Sequence, residues 1–430
     1  MTLRIGTLNA RFLPFIPSNA RRARMLADRI LDGGYDLFVL TEVFSRRARR
    51  ILVDRLSGEY PWNVQSIGAA HGRRQSSGLM LLSRLPFEAL PPSSRFRHPK
   101  VRASSTGVTP DWPHVWFTKY PACSWSDCLA AKGAGYVRLR IEGKPVHVFF
   151  THMQATYAYQ GRRRHSLARE IRSLQLEQLT DLVREALGGT DNGRRNVILL
   201  GDFNVDGARS APDGGTTPGP GGEEWRTMLE RLDALVPGDL ADTWDRYAPE
   251  PDPGYTHSTR HPVARRDYVL LGDCDPVLPL SVQQVTLAYN LAEADGRTDD
   301  HLSDHFGVNV DLNRFQTGCH PKAAHPLDVA TDPVRIRGEI RHPGGLQWYR
   351  LGARDSFELN LDFSDGGDGE ALEVYRATDI SRPLAAARSS AAGRRGTVKR
   401  YEVGGVTFIR VGRPKSQISG AYTLAVERVV

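Results

Sequence analysis

The chain has 430 residues, 40% hydrophobic and 25% charged, with a formal net charge of +8. That length suffices for two or three domains with full cores, and the composition excludes a low-complexity or fibrous chain. Four cysteines without metal-ligand spacing exclude a disulfide scaffold, and no apolar run approaches the length of a membrane span.

The positive charge favours an anionic partner, nucleic acid or an acidic lipid surface, but only weakly. The short arginine clusters (Arg21, Arg22, Arg24; Arg46, Arg47, Arg49, Arg50; Arg162, Arg163, Arg164) fall on predicted helices and read as solvated faces. The first element is an alternating strand, "LRIGTLN", ending at Asn9. No charged and apolar leader precedes it, so a cytoplasmic protein is expected unless a leader has been removed. A helix follows over 19–32, capped by Ser18 or Asn19 and stopped at Gly33-Gly34. The strand "YDLFVLTE" ends at Glu42, and a second helix, about 45–57, sets Ala48, Ile51, Leu52 and Leu56 on one face. After the strand "GLMLLS" comes a Pro-interrupted aromatic segment over 108–125, with Cys123 and Cys128 close enough to pair although nothing requires it. Residues 135–141 and 145–151 read as a hairpin ending at His152. A third helix, 166–187, carries Leu167, Ile171, Leu174, Leu179 and Leu182. The apolar run "VILLGDFN" then delivers Asp202 and Asn204, and the Gly/Pro-rich stretch 207–222 reads as a flexible loop. Asp267 opens the strand "DYVLL", and Asp304-His305 precede the last strand, "FGVNVDL". Residues 313–332 look like a linker, and 333–430 contain short alternating strands that predict a small all-β sandwich. Its acidic loop, "DFSDGGDGEALE", fits no calcium-ligand spacing and reads as solvated.

Strands mixed with helices over 1–312 predict an α/β domain of mixed sheets. Six polar strand ends of complementary chemistry suggest one shared sheet edge. Their residues suit metal-assisted attack on a phosphodiester. Glu42 is a hard carboxylate ligand for Mg²⁺ and Asn9 offers a neutral oxygen. His305, with Asp304 beside it to orient and charge the ring, serves as base or acid. Asp202 orients or deprotonates water, and His152 and Asn204 donate to phosphoryl oxygens. Each residue also has a plainer reading. Asn9 forms turns, Glu42 and Asp304 cap, His152 fits a core, and Asp267 pairs with Arg265 or Arg266.

The motifs "LTEVF", "THMQA", "GDFNV", "RDYVLL" and "SDHFGV" resemble the endonuclease/exonuclease/phosphatase superfamily over roughly residues 3–312. That resemblance implies the DNase-I-like fold, a two-layer α/β sandwich of mixed sheets. The segment "SDCLAAKGAGYVRLRIEGKPVHVFFTHMQA", with "REIRSLQLEQLTDLV" and "LADTWDRY", is similar to neutral sphingomyelinases. This implies Mg²⁺-dependent hydrolysis of sphingomyelin to ceramide and phosphocholine, with Mn²⁺ or Co²⁺ as substitutes. By position, Asn9 and Glu42 correspond to metal-site residues, and His152, Asp202, Asn204 and His305 to catalytic or phosphate-contacting ones. Asp127 corresponds to an acidic residue near the site, and Lys132 to a family lysine without an assigned role. The resemblance implies a phospholipid partner at a membrane surface and a monomer, with nucleic acid the lesser alternative through a Mg²⁺-dependent nuclease of the same superfamily. A binding protein driven by its C-terminal sandwich is a third reading. Bacterial members are often secreted, and the export leader is missing here. The C-terminal region resembles the bacterial pre-peptidase C-terminal domain type. Trp112, Trp116 and Phe117 either contact membrane or fold onto the core.

Overall fold

The computed structural model describes residues 2–68, 75–93, 95–96, 102–104, 113–141, 143–156, 162–188, 196–208, 221–236, 240–248, 253–259, 263–272, 280–288 and 302–314, and the strand segments between 325 and 429. Up to Arg314 the elements run β1 (Thr2–Phe12), α1 (Asn19–Gly33), β2 (Leu37–Val43), α2 (Arg46–Leu56), β3 (Trp62–Ser66), β4 (Met80–Ser83), β5 (Arg102–Ser104) and β6 (Trp116–Lys119). They continue as β7 (Gly133–Ile141), β8 (Lys144–His152), α3 (Arg162–Leu187), β9 (Asn196–Asp202), α4 (Gly221–Asp233), β10 (Leu240–Asp242), α5 (Thr243–Tyr247), β11 (Asp267–Gly272), β12 (Leu280–Ala288) and β13 (Gly307–Arg314).

The strands form two mixed sheets, β12-β13-β1-β2-β4-β3-β5 and β10-β11-β9-β8-β7-β6. Each sheet carries helices on one face. Ala23, Leu26, Ala27 and Ile30 of α1 recur at helical spacing and pack with Ala48, Leu52 and Leu56 of α2 onto Leu8, Phe12, Phe38 and Leu40. Leu176, Leu179, Leu182 and Val183 of α3 pack with Met228 and Leu232 of α4 onto Phe149, Val197 and Leu199. Period-two alternation turns the other faces of the central strands toward each other, where β1 and β2 meet β8, β9 and β11. The result is a pair of α/β layers packed sheet to sheet, as expected.

The caps explain the helix ends. Gly34 closes α1 in the left-handed conformation (φ 63°), with its N–H on the Leu31 carbonyl. Ser45 caps α2, its Oγ accepting from Ala48 N at 3.3 Å. Helix α3 begins before the expected residue 166, and two of its expected core leucines face outward, Leu167 at 43% and Leu174 at 51% exposure. Their positions in the core are taken by Ala168 and Leu176. Of the Gly/Pro-rich stretch, residues 209–220 lie outside the described residues, and Gly221 already starts α4.

The chain divides into two units: Met1–Asp245 with Pro251–Gly272 and Val285–Leu312, and Arg246–Glu250 with Asp273–Gln284 and Asn313–Val430. Beyond β13 come β14 (His325–Leu327), β15 (Val334–Ile340), β16 (Leu346–Ala353), β17 (Ser356–Phe363), β18 (Ala371–Arg376), β19 (Ala385–Arg388), β20 (Arg395–Glu402), β21 (Gly405–Gly412) and β22 (Gly420–Val429). They divide into the sheets β14-β16-β21-β18-β19 and β15-β22-β17-β20. Within 313–332, the stretch read as a linker, β14 pairs parallel with β16 through His325–Tyr349 and Leu327–Leu351. The middle of the acidic loop, 364–370, lies outside the described residues.

The "GDFN" tip needs its glycine. Gly201 sits at φ 130°, and a Cβ there would lie 2.2 Å from the Thr151 carbonyl oxygen of β8. Gly201→Ala forces β8 and β9 apart where they carry His152 and Asp202. The expected cost is about 1–3 kcal/mol, a lowering of Tm by several degrees. Thermal melts of the variant beside the parent check it.

Candidate active site

Strand register builds the centre of the site. In the second sheet His152 of β8 lies beside Asp202 of β9, and Asp267 of β11 beside Asp202 on its other flank. Three polar residues thus occupy one row across three strands. In the first sheet, β1 and β2 run parallel with Asn9 opposite Thr41, and Glu42 follows. Asn9 joins the sheets: its Nδ2 donates to Asp202 Oδ2 at 2.9 Å, while its Oδ1 accepts from Arg11 N at 3.1 Å. Glu42 and Asn204 both adopt left-handed backbone, at φ 58° and 53°. Asn tolerates this easily; for Glu it is costly and marks a constrained position.

The loop before β13 completes the edge. Ser303 Oγ donates to the Asn9 carbonyl and accepts from His305 N at 3.0 Å. His305 Nδ1 donates to Asp267 Oδ2 at 2.7 Å. This corrects the expected partner: Asp267, not Asp304, orients the His305 ring, and Asp267 is not the mate of Arg265 or Arg266. Asp304 instead pairs with Arg11 Nε at 3.2 Å and acts on His305 only through space. Asp304 sits in a bend ahead of β13 and turns to Arg11, so adjacency in sequence misleads here.

Buried arginines hold the backbone that presents these groups. Arg22 is 6% exposed, and its guanidinium donates to the carbonyls of Leu302, Ala10 and Arg11, fastening the Ser303 loop to β1. It is therefore not part of a solvated face. Arg265, 1% exposed, pairs with Asp242 at 2.5 Å and donates to the Gly207 carbonyl at 3.1 Å, fixing the chain that follows Asn204. Tyr268 donates to the Val205 carbonyl at 2.7 Å in the same place.

On the other side, Lys132 pairs with Asp127 at 2.9 Å and donates to the Met153 carbonyl at 2.9 Å. Asn204 Nδ2 donates to that same carbonyl at 3.2 Å. Asp127 accepts from Ala155 N at 2.8 Å. Cys123 and Cys128 are disulfide-bonded around the turn that bears Asp127. Of the two readings left open for Trp116 and Phe117, membrane contact is overturned and the core one holds. Trp116 and Phe117 are 6% and 3% exposed, and Trp116 packs on Phe96 and Tyr136. They lie on β6, where a pleated strand turns its aromatics into the core. Trp112 lies outside the described residues.

The three histidines differ in charge. Burial opposes a charged His305, but Asp267, Asp202 and Asp304 outweigh it and raise its pKa to about 9. Burial, then Lys132 and His305, hold His152 well below its ordinary value, so it is neutral. Its Nε2 stands 3.8 Å from Glu42 Oε1 and 3.7 Å from Asp202 Oδ2, beyond hydrogen-bond range, and both ring nitrogens are buried without partners. The third, His257, escaped the sequence reading. It precedes Asp267 by ten residues in a stretch without periodicity, so no pattern marked it. Its ring stands 4.8 Å from that of His305, and burial, His305 and Arg266 hold its pKa down to about 4.

Burial raises Glu42 to about 7, although its side chain keeps 21% exposure, and raises Asp202 as well, with Asp267 adding to it. With Asp267 matched to His305, Asp304 to Arg11 and Asp127 to Lys132, no ion pair among the described residues gives Glu42 or Asp202 an arginine or lysine. That surplus of negative charge, with the hard oxygen donors of Glu42 and Asn9, fits a divalent cation of the magnesium kind. Ligand-type atoms of Asp202, Asp267 and His305 also converge within 4.8 Å, but His305 Nδ1 is committed to Asp267.

The His305–Asp267 pair has a pH signature. The folded pKa of about 9 lies above the ordinary 6.5, so protonation stabilises the fold. The contribution is complete below about pH 6.5, is lost as pH rises through about 9, and amounts to about 3 kcal/mol at most. Melts from pH 6 to 10 should show the parent losing stability over that window and His305→Asn losing much less. Parallel curves would remove the ion pair.

Known proteins resemble this chain in sequence and in fold. The sequence pattern of the Endonuclease/Exonuclease/phosphatase family matches residues 6–305. The chain is 24% identical over 354 residues to Sphingomyelinase C 2 of Leptospira interrogans serogroup Icterohaemorrhagiae serovar Lai (strain 56601), covering 74% of this chain and 49% of that protein. It is 23% identical over 215 residues to Sphingomyelinase C of Bacillus cereus, covering 49% of this chain and 56% of the relative. The chain thus spans about half the length of these curated relatives. Among solved structures, sphingomyelinase C from Streptomyces griseocarneus superposes with a TM-score of 0.48 at 20% identity, covering 73% of this chain and 100% of that one. With 6–305 matched and the motif residues gathered at one sheet edge, the chain belongs to the endonuclease/exonuclease/phosphatase family.

Proposed function

We propose that the protein is a divalent-metal-dependent phosphodiesterase that hydrolyses sphingomyelin, or a related phospholipid, to ceramide and phosphocholine. The observation that carries this reading is the shared Met153 carbonyl, which ties Lys132 to Asn204. The Asp127–Lys132–Gly133 segment, the part of the sequence similar to neutral sphingomyelinases, is thereby built into the phosphodiester site. The two curated relatives described above are both named sphingomyelinases.

The residues divide the work by charge. Asp202, its pKa raised by burial and Asp267, takes the proton of the attacking water. As the water oxygen bonds to phosphorus, the bond to the ceramide oxygen breaks. His305, charged and held at Nδ1 by Asp267, gives its Nε2 proton to that oxygen. Neutral His152 and the Asn204 amide hydrogen-bond the phosphoryl oxygens. Glu42 and Asn9 would hold the metal ion, which when bound polarises a phosphoryl oxygen and offsets developing charge. Most of the effect is positioning and electrostatics.

The nuclease alternative loses support from the arginines. Arg22, Arg172 and Arg265 are buried and satisfied internally, Arg172 by Glu224 at 2.7 Å, so they are not available to a phosphate backbone. Among the described residues no helix is long and apolar enough to cross a membrane, so lipid would be met at a surface.

Phosphocholine release from sphingomyelin liposomes with Mg²⁺, run beside plasmid nicking, tests the reading. His305→Ala should lower release by at least about a hundredfold. Glu42→Gln should fold, lose metal-dependent turnover and lose the rise in Tm that Mg²⁺ gives the parent. In the parent that rise should weaken as pH falls through about 7, where Glu42 becomes protonated. Nicking without phosphocholine release overturns the lipid reading. An unchanged Mg²⁺ response in Glu42→Gln overturns the metal assignment.

A further inference from the structure

His257 has no role in the mechanism above, yet it is among the most firmly placed residues of the site. Its N–H donates to the Ala264 carbonyl at 2.9 Å, and its carbonyl accepts from Ala264 N at 2.9 Å and Val263 N at 3.0 Å. On the other flank it forms an antiparallel bridge with His305. Phe306 N donates to the Thr256 carbonyl at 2.8 Å and Thr259 N to the Asp304 carbonyl at 3.0 Å. Backbone on both sides fixes where the ring stands.

The ring meets that of His305 at 4.8 Å and 58°. Its Nδ1 is buried with no hydrogen-bond partner, whereas Nε2 lies on the accessible side of the half-buried ring. A phenyl ring would make the same contact without stranding a nitrogen. An imidazole here carries a desolvation cost that the fold alone does not offset. A buried lone pair is cheaper to leave unpaired than a buried N–H, so the proton belongs on Nε2. That places one neutral N–H donor beside the His305 ring, in the field of Asp202 and Asp304.

We propose that His257 is a substrate-contacting residue whose Nε2–H donates to a non-bridging oxygen of the phosphodiester held against His305. The proposal rests on the phosphodiesterase reading but not on the lipid one, because the oxygen it contacts belongs to any phosphodiester. A contact to a non-bridging oxygen also differs from proton donation to the leaving group. It is felt even when the leaving group departs unaided.

The test uses the full chain with Mg²⁺ and two substrates, bis(p-nitrophenyl) phosphate and sphingomyelin liposomes. His257→Phe should lower kcat by about a hundredfold on both, as loss of one preorganised donor does, with KM and melting temperature close to the parent's. His257→Gln, which restores a donor, should recover most of that loss. A Phe variant within about threefold of the parent on the nitrophenyl ester overturns the proposal, since that is below the effect of one donor. Loss on sphingomyelin alone does so too. A parent that hydrolyses the ester but releases no phosphocholine sinks the lipid reading, and the ester data still decide His257. Should the Phe variant not fold, or the parent prove inactive on both substrates, the parent's ¹⁵N-histidine spectra decide. Inorganic phosphate with Mg²⁺ should shift the His257 Nε2 resonance, and a shift confined to His305 overturns the proposal.

Discussion

Two carboxylates, Asp202 and Asp267, are 1% exposed each and face one another across neighbouring strands. Like charges so placed repel when desolvated, and Asp267 adds to burial in raising the pKa of Asp202. Everything else in the site follows from neutralising them. His305 is drawn into contact with Asp267 and stays charged far above its ordinary range. Asn9 reaches across from the other sheet to Asp202, and Lys132 adds its field from the opposite side. Without Asn9 the two sheets would lose the hydrogen bond that joins them at this edge. Breaking a buried pair by removing one member is far more costly than its net contribution suggests, because the other charge remains.

The supports are themselves charged, which is unusual for a scaffold. Arg22 and Arg265 are buried and do no chemistry in the proposed mechanism. They bind backbone carbonyls on each flank of the reacting groups: Leu302, Ala10 and Arg11 in one case, Gly207 in the other. A guanidinium has five donors in a rigid fork and can satisfy several carbonyls that irregular chain leaves unpaired. Loops close to a reaction centre are short of regular backbone partners, so an arginine is a compact way to fix them. The net positive charge of the sequence therefore overstates how much cation faces a partner.

The sequence revealed most where one strand carries both signals, an apolar run and the polar residue at its end. Asn9, Glu42, His152 and Asp202 all lie at such ends, and the structure brings them together. It failed where the decisive fact is which neighbour a side chain faces across a sheet. Asp304 stood next to His305 in the chain and was the natural orienting partner, but cross-strand geometry assigns that role to Asp267. Trp116 and Phe117, aromatics beside Lys119 in a Pro-interrupted segment, suited a docking loop as well as the core, and both lie on β6 and pack inward. In α3, Leu167 and Leu174 fit a helical stripe equally well, and only the placement of the sheet determines that Ile171, Leu179 and Leu182 form the buried side. His257 had no strand end, no motif and no periodicity to mark it.

Three imidazoles within one site show how little residue type alone determines. His305 faces a carboxylate and is a cation. His152 lies in the same row as Asp202, but at a distance that gains no hydrogen bond, and burial beside Lys132 makes it neutral. His257 packs against a cation and is neutral for that reason as well as for its burial. The proposed mechanism uses both kinds of ring: a cation to give up a proton, and neutral donors that hold oxygens without competing for protons. Had all three been charged, the field of the two carboxylates would be exhausted and nothing would attract a metal ion. Had all been neutral, Asp267 would stand unpaired. One charged ring against two buried carboxylates leaves Asp202 free of an arginine or lysine partner, and together with Glu42 it keeps the site short of positive charge, the condition under which binding a divalent ion is favourable.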